Sequence, residues 1–572
     1  MAQAEKAALS CVLALGFLTG LWGIRWGLPG AARLRAFPEK LYPSAEIAQK
    51  LTEHWAKLYK DIRQSHQEMR KEEPVTYVKG REAVAPGWDF PPEPLINSYR
   101  SLLTQSANPD EKKSFIILSQ MRPWELEFKP LYAHYGGAFI YPLGVFFKIS
   151  SWIGAVKLVP DLRHYLQYPE DMRRLYLCGR FFILLFHLGS LWVLYDIGRR
   201  ISGWRTGLCA AVFFALCPSV IIGSHVLKPH AYSSFWALAG VREMLLAYEF
   251  GKKRDYIFCG LSSGIAAGSA FSLAAFLGLP ALAWLGRCDD WSVSKGEMLR
   301  ASGGLAAAVA VVLASNPYLF FSYGHFAWEM EVFAAPSFNL TLQGFGALLG
   351  NFAVSMGPAL AILAAAGSLA ALGRREWRRL LALVLWGVFA VLWAWFWRFA
   401  PDPGYTRFYY PVMALACVLG ADALWSGSWP KIFKVFITAL ILMDSGLRSF
   451  VYLRNMVLDS GVQSTRMQAA SWIDANIPPG SSVGLVRYPE PAHTPPFRYD
   501  RYRLVFFNSA EVLGDEYPDY LVVDAEGQGP IDNLAKNKYD RTRSFLPMGI
   551  GWARVTDKSS FINADIYIYK LR

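Results

Sequence analysis

The chain has 572 residues, of which 53% are hydrophobic, 15% aromatic and only 18% charged. A water-soluble enzyme of this length carries more charge, so the composition excludes that class and points to a protein that crosses a membrane many times. The net charge of +13 invites a nucleic-acid reading, but much of it sits in short clusters between apolar runs. Arg199-Arg200, Lys252-Lys253-Arg254, Arg374-Arg375 with Arg378-Arg379, and Lys431 with Lys434 follow the pattern of cytoplasmic loops, not of a binding stripe.

In chain order, residues 7–24 are apolar for about one bilayer crossing and lack a small-residue cleavage site, which predicts a retained signal-anchor helix. A long polar region follows, residues 25–135. Within it Ile47, Leu51, Trp55, Leu58, Tyr59 and Ile62 recur at helical spacing among charges, predicting an amphipathic helix in the membrane interface or packed on a neighbouring domain. Residues 74–94 are rich in Pro and Gly and read as an irregular loop. Apolar runs then dominate: 136–156, 177–197, 204–223, 231–248, 256–286, 301–322, 340–372, 379–399, 408–427 and 431–449. The 256–286 run is too long for one crossing, and Gly278 and Pro280 interrupt it, predicting two shorter helices. If the basic clusters are cytoplasmic, residues 224–230, 397–410 and everything after 450 lie on the other side. With the 25–135 loop also outside, either the 136–156 run does not cross fully or one boundary is misplaced.

The composition changes near residue 455. Residues 467–475 read as an amphipathic helix with a stop at Pro478-Pro479-Gly480, followed by strands at 482–486, 503–507, 520–523, 551–555 and 565–570. The expected fold is mainly α, a polytopic bundle of about 11–13 transmembrane helices (domain 1–454, with the long first outer loop at 25–135). A small extracytoplasmic α/β domain occupies 455–572. Seven cysteines fall in or beside apolar runs without metal-ligand spacing and read as small buried hydrophobes, with no disulfide framework.

The stretch with the most chemistry is Pro109-Asp110-Glu111-Lys112, two adjacent carboxylates a short way before the 136–156 run. Taken alone, such a dipeptide is a solvated loop pair. Few charges lie in the middle of the apolar runs, as a transporter would need. They gather at one set of helix ends instead: Asp110, Glu111, Lys129, His134, Lys228, His230, Arg398 and Arg407. That suits a reaction at the membrane surface, with a lipid-borne phosphate against the cations.

Several further stretches carry a likeness. They are Lys129-Pro130-Leu131 to Tyr141-Pro142, Tyr168-Pro169-Glu170, Gly179-Arg180, Tyr195-Asp196 to Arg199-Arg200, Ser224-His225, Asn316-Pro317-Tyr318, Thr406-Arg407-Phe408-Tyr409-Tyr410-Pro411, and the 472–480 phrase. Together with Asp110-Glu111, their order resembles the membrane glycosyltransferases of the C-fold superfamily (GT-C), in the group of the protein O-mannosyltransferases and aminoarabinose transferases, over most of residues 105–480. The resemblance implies hexosyl or pentosyl transfer from a polyprenyl-phosphate donor to an acceptor outside the cytoplasm, with inversion. It implies Asp110 as general base and Glu111 as its support or substitute; Glu39 and Glu46 compete for that role. A phosphate leaving group needs cations rather than a strong acid. Lys129 and Arg407 are the first candidates to hold it and Arg180 and Lys228 the second, each with interfacial snorkelling as the alternative. His134, His230, Tyr409 and Tyr410 are candidates for acceptor or sugar contact; His230 reads equally as a structural histidine and the tyrosines as an aromatic belt. Where relatives often place an acid after Ser-His and a Pro, this chain has Lys228-Pro229-His230, which weakens the case for a divalent metal. No metal ligands and no cofactor are assigned. The expected partners are the lipid-linked donor, membrane lipids and an acceptor that is a lipid, a glycan or a protein, with no nucleic acid. The expected location is the plasma (inner) membrane, with the site facing out. Alternatives are transfer of a whole lipid-linked glycan, a lipid or polysaccharide flippase, or a non-catalytic scaffold.

Overall fold

The computed structural model describes residues 3–41, 44–68, 78, 80–128, 135–288, 295–321, 323–324, 326–327, 341–373, 377–396, 407–513, 516–556 and 561–572. The chain forms two compact units. One comprises residues 1–22, 113–146 and 179–453; the other comprises 23–112, 147–178 and 454–572.

The first unit is a helical bundle. Among the described residues, five helices are long and apolar enough to cross a membrane: Gln3–Leu21, Pro169–Ser202, Lys295–Ser315, Arg407–Ser426 and Lys431–Asp459. Two more candidates are bent pairs, Trp204–Ala215 with Pro218–Ser224 at 70° and Leu342–Met356 with Pro358–Leu372 at 119°. Helices Pro229–Phe250, Lys253–Ser269 and Trp377–Phe396 occupy other apolar runs. Among the described residues five to seven elements have the length and composition for a crossing, and the mainly α, polytopic bundle expected from the apolar runs is what the chain forms. The 136–156 run folds as Gly137–Trp152, a helix of 16 residues. At ~1.5 Å per residue it falls short of a ~30 Å hydrocarbon layer. The 256–286 run divides, as its glycine and proline suggest, into Lys253–Ser269, a 3₁₀ stretch Phe271–Gly278 and Leu279–Arg287.

The bend in 340–372 has a local cause. Gly357 adopts φ +91°, which an L side chain rarely tolerates. Helix Lys431–Asp459 satisfies the backbone freed there: Ser445 Oγ donates to the Met356 carbonyl at 2.6 Å, and Asp444 Oδ2 accepts from the Ala359 amide at 3.4 Å. Arg448 holds Asp444 in place at 2.9 Å. Inside a bilayer a broken helix persists only where such partners replace the lost backbone bonds.

The second unit is built on a six-stranded sheet of order β1-β3-β2-β4-β6-β5. Its strands are β1 Arg81–Val84, β2 Ser482–Leu485, β3 Arg503–Phe507, β4 Tyr520–Asp524, β5 Tyr539–Phe545 and β6 Ile566–Leu571. The central strands β3, β2 and β4 run parallel and are nearly continuously apolar, as strands covered on both faces must be. Leu504 and Phe506 face one layer, formed by helices Ala45–Glu68 (through Ile47, Ala48, Leu51), Glu93–Thr104 and Thr465–Asn476. Val505 and Phe507 face the other layer, where Gln528–Lys538 contributes Ile531 and Leu534. The amphipathic helix of the first loop therefore buries its leading turns on this sheet.

Three local expectations change. Residues 74–94 contain β1, an edge strand that pairs antiparallel with β3 over Arg81↔Phe507 to Val84↔Leu504. β5 was not anticipated, because an edge strand reading Tyr-Asp-Arg-Thr-Arg shows no apolar alternation. Residues 551–555 form no strand; a single bridge, Ile550↔Ala553, closes a turn there. The long outer loop, expected to belong with the membrane domain, contributes two helices and a strand to the unit that holds residues 454–572.

Candidate active site

The Asp110-Glu111 pair sits where a tight loop turns into helix Glu111–Gln120. The loop is fixed by its backbone. The Ala107 amide donates to the Gly27 carbonyl at 2.6 Å, and Arg33 forks onto the Gln105 carbonyl (2.7 Å) and the same Gly27 carbonyl (2.6 Å). Gly27 has φ +57°, and a Cβ there would lie 2.6 Å from that of Ala107, so both conformation and space require glycine. Lys112 Nζ donates to Gln105 Oε1 at 3.1 Å, tying the two ends together.

Within this loop the two carboxylates differ. Glu111 is 0% exposed and accepts from Ser106 Oγ at 2.5 Å; that hydroxyl in turn accepts from the Asn108 amide at 3.2 Å. Asp110 is half-buried, its amide held by Asn108 Oδ1 at 3.2 Å in an Asx turn. Glu111 is thus built into the loop, while Asp110 keeps access to solvent. Behind them, Arg100 is buried, and burial lowers its guanidinium to about 10, only partly opposed by Glu490 and Tyr176. Tyr176 donates to the Thr104 carbonyl at 3.2 Å, anchoring the end of the preceding helix. The competing carboxylates lie elsewhere: Glu39 is exposed, and Glu46 forms a surface pair with Lys50 at 2.8 Å.

In the helical unit, Lys228 is buried at the start of Pro229–Phe250 and His230 occupies the first turn. A cation at a helix N-terminus adds to the partial positive charge of the peptide dipoles and favours an anion. The His230 ring meets Phe408 edge-on at 4.8 Å, and the Arg407 guanidinium lies 5.2 Å from the same ring, so Phe408 joins two of the candidates. Arg180 is 0% exposed within Pro169–Ser202. Tyr409 and Tyr410 are not surface aromatics. Tyr409 packs edge-on against Phe352 at 5.4 Å, and Tyr410 donates to the Ser219 carbonyl at 2.6 Å. Their burial makes them packing groups, neither a belt nor a sugar platform. Lys129, His134, Arg398 and Thr406 lie outside the described residues.

Other quoted motifs hold the scaffold. Asn316 is 0% exposed; its carbonyl accepts from the Gly137 amide (2.9 Å) and the Tyr318 hydroxyl (2.6 Å), and its amide donates to Gly268 (3.1 Å). His225 is buried between the carbonyls of Ile221 (2.7 Å) and Trp22 (3.1 Å).

One cluster escaped the sequence reading. His493 Nδ1 donates to Asp524 Oδ2 at 2.5 Å, Arg487 donates to His493 Nε2 at 2.9 Å, and Glu526 lies 3.4 Å from Arg487. Burial alone would raise the Asp524 carboxyl, but the His493 hydrogen bond, with the Arg487 charge behind it, holds it below its ordinary range. The His, Asp and Glu atoms are close enough to ligate a cation. Both imidazole nitrogens already have protein partners, so ligation requires Arg487 to leave.

With this geometry in view, residues 177–320 match the family model of the dolichyl-phosphate-mannose-protein mannosyltransferases, about a quarter of the chain. The class it resembles is accordingly that of the GT-C membrane glycosyltransferases. Among solved structures the chain is similar to ArnT from Cupriavidus metallidurans bound to undecaprenyl phosphate, at 13% identity over 83% of this chain and 96% of that one (TM-score 0.43). It is also similar to the archaeal oligosaccharyltransferase AglB from Archaeoglobus fulgidus, in complex with an inhibitory peptide and a dolichol-phosphate. There the identity is 15% over 81% of this chain and 74% of that one (TM-score 0.36). Comparison with the curated proteins gives no match.

Proposed function

We propose that this chain is an integral-membrane glycosyltransferase that moves a sugar from a polyprenyl-phosphate donor to an acceptor on the extracytoplasmic side. An acceptor oxygen attacks the anomeric carbon as the bond from that carbon to the phosphate oxygen breaks. The lipid monophosphate leaves with the electron pair, and Asp110 takes the acceptor proton. A single displacement inverts the anomeric centre. The observation that carries the reading is the loop of Gln105 to Lys112, rigid in its backbone, with one carboxylate sealed in and its neighbour half-open. A general base needs that combination of fixed position and access. Lys228 and Arg407, with the helix N-terminus beside Lys228, supply positive charge of the kind a departing phosphate requires. The match over residues 177–320 supports the reaction class.

The test is sugar transfer by purified, lipid-reconstituted protein offered a panel of polyprenyl-phosphate sugars. Wild type consumes one donor and releases polyprenyl phosphate; Asp110→Asn binds that donor and does not turn it over. Turnover that survives in Asp110→Asn and dies in Glu111→Gln overturns the base assignment while leaving the reaction class. A second reading draws on the two bent helix pairs, a feature of transporters. A flippase would move labelled lipid-linked sugar between leaflets without breaking the sugar–phosphate bond.

A further inference from the structure

At the far end of helix Pro229–Phe250 from Lys228 lies a cavity of about 500 Å³. The helix has 22 residues, which at ~1.5 Å each separates its two ends by ~33 Å. The cavity is bounded by the last turn of Pro169–Ser202, the end of Pro229–Phe250 and the first turn of Lys253–Ser269. Four cations line it, Arg200, Arg242, Lys252 and Arg254, against two carboxylates, Glu243 and Asp255.

The cations are arranged to accept something more. Arg200 is held through Nε by Asp196 Oδ2 at 3.0 Å, and Arg254 through Nε by Asp255 Oδ1 at 3.1 Å. In both, the terminal guanidinium nitrogens make no hydrogen bond within the protein among the described residues. Arg242 is fixed by Asp196 at 2.7 Å and by Glu243, so its orientation is set in advance. Lys252 is exposed and forms no ion pair among the described residues; its ammonium lies 5.0 Å from the Phe250 ring. A second, independent feature asks for a donor. Asp255 is 3% exposed, and its Oδ2 is enclosed without a protein hydrogen-bond partner among the described residues. The rim is apolar: Phe250, Phe258 and the nearby Trp192 are about half exposed at 49%, 54% and 46%.

We propose that this cavity binds the headgroup of a membrane phospholipid whose phosphodiester carries a hydrogen-bond donor, an ammonium or a hydroxyl. The phosphate lies between Arg200, Lys252 and Arg254, where guanidinium and ammonium groups outnumber carboxylates. The donor meets Asp255 Oδ2, and the acyl chains run over Phe250 and Phe258. Basic recesses between membrane helices hold anionic headgroups in this way. The site is separate from the proposed chemistry and does not rest on it.

The experiment uses the full chain purified in detergent, delipidated, and read by native mass spectrometry and thermal unfolding. The probes are phosphatidylglycerol, phosphatidylethanolamine, phosphatidylcholine and inorganic phosphate. Phosphatidylglycerol and phosphatidylethanolamine are expected to remain bound and to raise the unfolding temperature. Phosphatidylcholine, whose headgroup has no N–H or O–H, binds at least tenfold more weakly. The double variant K252E/R254E, at exposed positions, loses at least tenfold in affinity for both ligands. Asp255→Asn narrows the gap between phosphatidylethanolamine and phosphatidylcholine; should it fail to fold, K252E/R254E still decides. Equal retention of phosphatidylcholine, undiminished binding by K252E/R254E, or equal stabilisation by inorganic phosphate each overturns the proposal.

Discussion

The loop of Gln105 to Lys112 and the turn at Asn316 are both short motifs named by the sequence, and they handle buried polarity in opposite ways. At Asn316 one amide side chain spends its hydrogen-bonding groups on its surroundings: the Gly137 amide, the Tyr318 hydroxyl and the Gly268 carbonyl. It has no capacity left for a ligand. At Asp110 the surroundings do the work. Gly27, Arg33 and Ser106 hold the backbone and the neighbouring Glu111, and Asn108 holds the Asp110 amide, while Asp110 as a whole stays half-buried. We propose that Asn316, enclosed by the fold, serves the scaffold and that the half-open Asp110 serves the chemistry.

The comparison breaks most sharply under substitution at Asp110. Asp110→Asn should lower turnover about 10²- to 10⁴-fold, the usual contribution of a general base, with an unchanged thermal unfolding midpoint. A midpoint that falls with turnover would put Asp110 in the scaffold class. Asn316→Ala should do the reverse. It strands the Gly137 amide and the Gly268 carbonyl, for a loss of about 1–3 kcal/mol in denaturant-induced unfolding, and specific activity per folded molecule stays near wild type. Arg33→Lys replaces a two-pronged donor by a point charge, and is expected to cost about 1 kcal/mol and to lower turnover through loop placement, raising KM less than it lowers kcat.

The smallest effect is expected at Asp524. Its carboxyl titrates below the ordinary range in the folded chain. The stability it contributes is therefore fully present above the unfolded-state value near ~3.9 and is lost as the pH falls through the lower folded value. Unfolding midpoints followed from pH 5 down to pH 2 should drop less in Asp524→Asn than in wild type. A parallel drop in both would remove the His493–Asp524 bond from the acid response.

Much of the helical unit was legible because ten apolar runs separated by basic clusters leave few other foldings. The bend at Gly357 was not, since Gly357 is one of five glycines inside 340–372, and the groups that satisfy the freed backbone, Asp444 and Ser445, lie almost ninety residues on. β3, β2 and β4 were readable from their apolar runs. β1 was not, because Arg81 and Glu82 fill an edge position and the partner strand is remote in sequence. At the candidate site, Asp110 and Glu111 could be named from residue type and context. Their unequal burial could not, because it depends on Ser106 and on a glycine eighty residues upstream. Tyr409 and Tyr410 read as surface aromatics because they border an apolar run, yet Phe352 and Ser219 draw them inward. The His493, Asp524 and Arg487 cluster joins the connection after β2 to the end of β4, and carries no spacing that a linear reading could use.

The pairing of β1 with β3 also sets a timetable for synthesis. Arg81 emerges early, but its partner Phe507 follows more than four hundred residues later. At about 5–20 residues per second, some twenty to eighty seconds pass before the two can meet. Throughout that interval the bundle helices are being inserted while Val84 and the apolar faces of the helices around Ile47 and Tyr99 have no sheet to cover them. The sheet unit can therefore close only near the end of translation, and until then its first third is a client for a holdase.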